Sequence, residues 1–130
     1  MITIGLDMMG GDFAPAEAVK GVATFFEENP VDVHLVLIGD EEKLKVELKK
    51  NHFSAAEYTI LHAPQVIEMH EHPTKALKEK PLSSIAAGFE LLSAGKTDAF
   101  LSAGNTGAKM VCALFIFKTI EGLQRPALGQ

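Results

Sequence analysis

The sequence predicts an α/β domain built as three layers, α/β/α, around a mostly parallel sheet. Three observations carry that expectation. Short, nearly continuous apolar runs suit strands buried on both faces, amphipathic helical periods lie between the runs, and glycines mark turns where a strand gives way to a helix. Strands are expected over residues 3–7, 33–38, 58–62 and 98–102. The 130 residues are 47% hydrophobic, enough for one modest core, and contain no repeat, low-complexity tract or linker, so residues 1–130 read as a single domain.

The first strand ends at Asp7 and enters the turn Met8-Met9-Gly10-Gly11-Asp12, where two glycines permit positive φ and close backbone approach. Pro15 suits the first turn of a helix whose inward face collects Ala18, Val19, Val22, Ala23 and Phe26 until Asn29-Pro30 stops it. The second strand is interrupted by His34, read as structural, and Gly39-Asp40 leads to a charged helix reaching Lys50. Ala63-Pro64 breaks the third strand. An irregular polar segment follows over 68–72, then a helix started by Pro73 and another over 83–93 with Ile85, Phe89 and Leu92 inward. After the fourth strand, Ala103-Gly104-Asn105-Thr106-Gly107 opens a long apolar helix running to about Ile120. Residues 124–130 leave that helix toward what resembles another strand, which reads as a chain cut from something longer.

A formal net charge of −5 with no Lys/Arg run argues against general nucleic-acid binding, which needs a cationic footprint. A single cysteine offers neither an internal disulfide nor a metal cluster and suits a reducing, cytoplasmic setting. Cys112 itself sits in an apolar stretch and reads as core. The opening residues lack the features of a secretory leader, and the apolar stretch 110–117 is far short of the ~20 residues of a membrane span.

In open α/β sheets, ligands bind beyond the carboxyl ends of the strands, and the glycine-rich ends after the first and fourth strands are expected to converge there. The loop 102–107 combines the hydroxyls of Ser102 and Thr106 with the unpaired N–H groups and positive dipole end of a helix, the makings of an anion site. An ordinary turn in which Asn105 or Thr106 caps the helix explains the same residues. The loop matches neither the P-loop nor the dinucleotide spacing, so no nucleotide cofactor is expected. At the first loop, Gly10 and Gly11 would let a substrate approach while Asp7 and Asp12 orient polar groups; the plainer alternative makes Asp12 a helix cap. His62, Glu68, His70, Glu71 and His72 lie close together without a metal-ligand spacing, and no metal is expected. Lys75 and Lys78 share a helix face, either simply solvated or placed to offset phosphate charge.

Six runs, in order and in register, resemble the phosphate acyltransferase (PlsX) family over the whole chain. They are Asp7 to Asp12, Leu37 to Glu42, His62-Ala63-Pro64, Pro73 to Leu77, Ser83-Ser84-Ile85 and Ser102 to Ala108. The resemblance implies a fold similar to isocitrate and isopropylmalate dehydrogenases, of which this chain would be the incomplete N-terminal part. It also implies a homodimer in the cytoplasm, peripheral to the membrane. The implied reaction converts acyl-[acyl carrier protein] and inorganic phosphate into acyl phosphate and free carrier protein, feeding phospholipid synthesis without a cofactor. Asn105, Thr106 and Lys75 are the expected catalytic residues, and Asp7, Gly10, Gly11, Asp12, Ser102, Gly104 and Gly107 the expected substrate-binding ones. Phe13 stands where the family often has histidine, and Lys78-Glu79-Lys80 is poorer in arginine than is common there. A short-chain phosphate acetyl- or butyryltransferase using coenzyme A, and a non-catalytic anion-binding fragment, are the competing readings.

Overall fold

The computed structural model describes residues 1–28, 31–51 and 58–117. Four strands, β1 (Ile2–Asp7), β2 (Val33–Gly39), β3 (Tyr58–His62) and β4 (Ala99–Leu101), alternate with five helices. The helices are α1 (Ala16–Glu27), α2 (Glu41–Lys50), α3 (Pro73–Glu79), α4 (Ser84–Ser93) and α5 (Thr106–Phe117). All pairings are parallel, in the order β3-β2-β1-β4, with Ile2 opposite Val33 and Ile4 opposite Ala99. The fold is therefore the expected α/β class, with its sheet wholly parallel.

This register sends alternate side chains to opposite faces. Leu35 and Leu37 of β2 meet Met8, Val19, Val22 and Leu44 in one core under α1 and α2. Phe100 of β4 packs on the other face against a core of Ile67, Ala76, Ile85, Phe89 and Ala108 from the α3, α4 and α5 side. With apolar contacts on both sides, the strands lose the alternation of a half-exposed sheet, which is why they read as continuous apolar runs.

Caps set several element ends. Asp40 accepts from the Lys43 backbone N–H at 3.2 Å to start α2, and Ser83 Oγ accepts from Ala86 at 3.2 Å to start α4. Acidic Glu41 and Glu42 at the start of α2 and Lys49 and Lys50 at its end complement the helix dipole. The start of α1 departs from expectation: Pro15 lies at the cap position rather than in the first turn, no side chain caps this end, and Asp12 is exposed in the preceding turn. Strand β4 is shorter than the expected 98–102. Asp98 instead grips β1 from outside the ladder, its N–H donating to the Thr3 carbonyl at 2.7 Å and its Oδ2 accepting from the Thr3 N–H at 2.8 Å.

The two mid-chain histidines have structural partners. His34 Nε2 lies 3.2 Å from Thr59 Oγ1, and His62 Nδ1 accepts from the Glu41 backbone N–H at 3.1 Å. Cys112 packs at the edge of the second core, and burial pushes its thiol pKa up, in keeping with an inert core residue. Asn29-Pro30, Ile120 and residues 124–130 lie outside the described residues. Among the described residues no helix is long and apolar enough to cross a membrane.

The polar segment before α3 is strapped rather than loose. Lys80 Nζ donates to the Val66 carbonyl at 2.7 Å and to Glu71 Oε2 at 2.8 Å, and the Glu68 N–H donates to the same Glu71 oxygen at 2.6 Å. The Lys80 hydrogen bond, followed by that from Glu68, holds the Glu71 carboxyl below the ordinary glutamate value. A depressed folded pKa contributes stability at pH above the unfolded value and loses it as pH falls through the folded one. Stability should therefore decline between about pH 4.5, the ordinary value, and the lower folded pKa, and Glu71→Gln should flatten that part of the profile. Denaturant unfolding of both proteins at stepped pH measures it. Leu37 is 0% exposed at the centre of the sheet, and Leu37→Ala is expected to cost about 2–5 kcal/mol with an unchanged denaturant slope.

A candidate anion site at the switch point of the sheet

The chain steps from β1 to β2 to β3 in one direction, then returns through α3 and α4 to lay β4 on the other side of β1. The loops leaving β1 and β4 consequently lead to helices on opposite faces, α1 on one and α5 on the other. A crevice between two such loops is where open α/β sheets bind ligands.

Asp7, at the end of β1, ties the two loops together. Its Oδ1 accepts from the Met9 N–H at 3.0 Å and its Oδ2 from Ser102 Oγ at 2.7 Å, while Ser102 Oγ accepts in turn from the Gly104 N–H at 3.0 Å. Asp7 is 7% exposed, so these donors satisfy a carboxylate with little access to water. Gly10 lies against this junction: a Cβ there would sit 2.6 Å from both Asp7 Oδ2 and the Gly104 nitrogen. Gly11 adopts φ +93° and faces Ala103, whose Cβ would lie 3.6 Å away from an added Cβ. The two glycine-rich loops therefore converge, as the sequence leads one to expect.

The start of α5 is organised by Asn105, 3% exposed. Its Oδ1 accepts from the Ala108 N–H at 3.0 Å, and its Nδ2 donates to the Glu68 and Glu71 carbonyls at 2.9 and 3.0 Å. It is both helix cap and clamp on the segment strapped by Lys80. With Gly104 and Ala108 thus engaged, the N–H groups of Thr106 and Gly107 find no acceptor among the described residues. They stand at the positive end of α5, where an anion is favoured. Thr106 is exposed, and Gly107 is packed closely against Pro73 of α3.

Sequence reasoning did not single out Lys109. Its Nζ donates to the Ser102 carbonyl at 2.8 Å, bringing an ammonium back to the N-terminal end of α5, the end where the dipole disfavours positive charge. Its position three residues after Thr106 was the available signal, because helical side chains lean toward the preceding turn. Lys75, by contrast, has a side chain 75% exposed and lies 4.0 Å from Glu79, with no contact among the described residues joining it to the loops. Asp12 is exposed at the rim of the glycine turn. Among the described residues no three His, Cys, Asp or Glu side chains are grouped to hold a metal ion.

The arrangement can hold and orient an anion through backbone N–H groups, a helix dipole and an ammonium. The Ser102 hydroxyl hydrogen is directed to Asp7, so that serine is a link between loops rather than a free nucleophile.

Comparison with known proteins gives the same direction. The family model described as "Fatty acid synthesis protein" matches residues 2–130. The chain is 48% identical over 126 residues to the phosphate acyltransferase of Dictyoglomus turgidum, covering 97% of this chain and 37% of that protein. It is 44% identical over 129 residues to that of Desulforamulus reducens, covering 99% and 38%, and 43% identical over 129 residues to that of Methylococcus capsulatus, covering 98% and 38%. The chain thus spans a little over a third of the length of these relatives. With almost every residue matched at this level of identity, the chain belongs to the fatty acid synthesis protein family, alongside relatives that carry the name phosphate acyltransferase.

Proposed function

We propose that the protein to which this chain belongs transfers an acyl group from acyl-[acyl carrier protein] to inorganic phosphate, releasing acyl phosphate for phospholipid synthesis. The observation that carries this reading is that the N–H groups of Thr106 and Gly107, beside the glycine turn that Asp7 fixes, find no acceptor among the described residues. A phosphate dianion is the ligand such a cradle suits, and the family's acyltransferase naming supplies the acceptor chemistry.

The reaction asks little of acid–base groups. Phosphate is largely dianionic near neutrality, by analogy with the phosphoester second pKa of about 6. One phosphate oxygen attacks the thioester carbonyl carbon, the new C–O bond forms and a tetrahedral oxyanion develops. Its electron pair then returns and the C–S bond breaks. The leaving thiol, with an ordinary pKa of about 8.5, departs as thiolate and takes a proton from water. In this reading Thr106 and Gly107 hold the phosphate, Asn105 fixes the turn that presents them, Lys109 adds positive charge, Gly11 lets substrate approach the backbone, and Gly10 lets the two loops close on Asp7. The working form is a cytoplasmic homodimer, peripheral to the membrane, and the 130-residue chain alone is inactive.

Thr106 occupies the first position of α5, where proline is tolerated and its missing N–H is not needed by the helix. Thr106→Pro in the full-length protein should therefore keep the fold and remove one anion donor, lowering phosphate-dependent turnover about 10²- to 10³-fold, whereas Thr106→Val removes only the hydroxyl. Steady-state kinetics with varied phosphate, alongside thermal unfolding, decide it; near-normal kinetics for Thr106→Pro would remove the loop from the mechanism. Gly10→Ala brings a methyl carbon into backbone at Gly104, so the two loops must part. It is expected to raise the phosphate KM and lower the melting temperature together.

A further inference from the structure

The turn over residues 68–71 is closed by its own last side chain. The Glu71 N–H donates to the Glu68 carbonyl at 3.2 Å, and Glu71 Oε2 reaches back to accept from the Glu68 N–H at 2.6 Å. Lys80, the residue that ends α3, fastens this turn from outside. Its Nζ donates to the same Oε2 at 2.8 Å and to the Val66 carbonyl at 2.7 Å, so one ammonium grips both the approach to the turn and its last residue. The other ion pairs among the described residues join side chains three or four apart on one helix, a class worth little to stability. This one links two different segments, and its side chains are only 29% and 21% exposed.

What the fastened turn offers the rest of the molecule is two carbonyls in fixed places. Asn105 Nδ2 donates to both, at Glu68 and Glu71, and Asn105 Oδ1 accepts from the Ala108 N–H, so the amide plane is held at both ends. The turn and the start of α5 therefore meet in one joint. No hydrogen bond among the described residues joins the side chains of Lys80 or Glu71 to Thr106 or Gly107; their only route to those N–H groups runs through Asn105. Were the turn to open, the amide would lose its acceptors and turn away, and α5 would lose its cap.

We propose that Lys80 and Glu71 are positioning residues for phosphate: the pair sets the Glu68 and Glu71 carbonyls, these set the Asn105 amide, and the amide aims the Thr106 and Gly107 N–H groups. The inference rests on the functional reading above. Backbone donors have no rotamers with which to follow a displaced ligand, so their aim depends wholly on what supports the turn. A misplacement of about 1 Å can cost about 10²-fold in rate. The lowered Glu71 pKa agrees with this arrangement, since it keeps the carboxylate charged, and Lys80 gripped, at neutral pH.

The test uses the full-length protein and three variants: Lys80→Met, which keeps the side chain's length without its charge, Asn105→Ala, and the two combined. Steady-state kinetics are measured with phosphate and carrier-protein thioester varied in turn, alongside thermal unfolding. Lys80→Met is expected to raise the phosphate KM about 10- to 100-fold and to leave the thioester KM within about twofold. In the Asn105→Ala background the same substitution should add less than about twofold, because the link through which Lys80 acts is already gone. A brace that serves only stability would lower the melting temperature without this split or this non-additivity. An unchanged phosphate KM, an equal rise in both KM values, or fully additive effects would each overturn the proposal. Should Lys80→Met fail to fold, Glu71→Gln decides: it keeps an oxygen acceptor without the charge, and a phosphate KM raised roughly fivefold supports the pair, whereas one equal to the parent's overturns it. A parent protein that makes no acyl phosphate from any thioester would overturn the functional reading as well, whereas the other adverse results overturn only the positioning role.

Discussion

The hydrogen bond from Ser102 to Asp7 is the constraint on which the rest of the site depends. Strands β1 and β4 are neighbours, yet their chains must leave in opposite directions, and a carboxylate 7% exposed sits where they part. An ionised group so placed is costly unless donors surround it. Met9 and Ser102 supply those donors, one from each side of the parting, and Ser102 passes the connection on to Gly104. The need for Gly10 follows directly, because only a residue without Cβ fits between the carboxylate and the second loop.

A carboxylate beside the proposed anion site is an apparent contradiction, since like charges repel. The geometry resolves it locally. Both Asp7 oxygens face donors of the loops themselves, and the Lys109 ammonium donates to the carbonyl of Ser102, the residue whose hydroxyl binds Asp7. The net charge of −5 is therefore a poor guide to this corner of the molecule, where a helix N-terminus and Lys109 stand beside the Asp7 junction.

What the sequence made legible was whatever local chemistry dictates. Short, mostly apolar runs marked β1, β2 and β3, most fully in the buried central strand β2, and Ser83, at the start of the expected 83–93 helix, marked the beginning of α4 by its capping side chain. The two glycine loops were legible as turns, and their meeting followed from the sheet rule. Long-range partnership was not legible. Asn105 is a cap, as one local alternative had it, but its amide reaches carbonyls 34 and 37 residues away, and nothing near Asn105 in sequence encodes that. The engagement of the Gly104 N–H by Ser102, two residues before it, and the return of Lys109 to Ser102, seven residues before it, are by contrast local contacts whose spacing was present in the sequence. Asp12 failed as a cap because Pro15, not the glycine turn, borders α1.

The proposed reaction needs rigidity more than it needs reactive side chains. Its nucleophile arrives already charged and its leaving group departs as an anion, so the barrier is reduced chiefly by holding phosphate in line with the carbonyl and by placing dipoles where charge develops. Amides do this only if they need not reorganise. The start of α5 is held from three directions: by Asn105 to the Glu68 and Glu71 carbonyls, by Pro73 packed on Gly107, and by Lys109 to Ser102. The N–H groups of Thr106 and Gly107, which find no acceptor among the described residues, stand at the accessible N-terminal end of this helix, where water or an anion can meet them. A strapped scaffold around two free donors is thus the physical form that a phosphate-orienting site would take without a catalytic base.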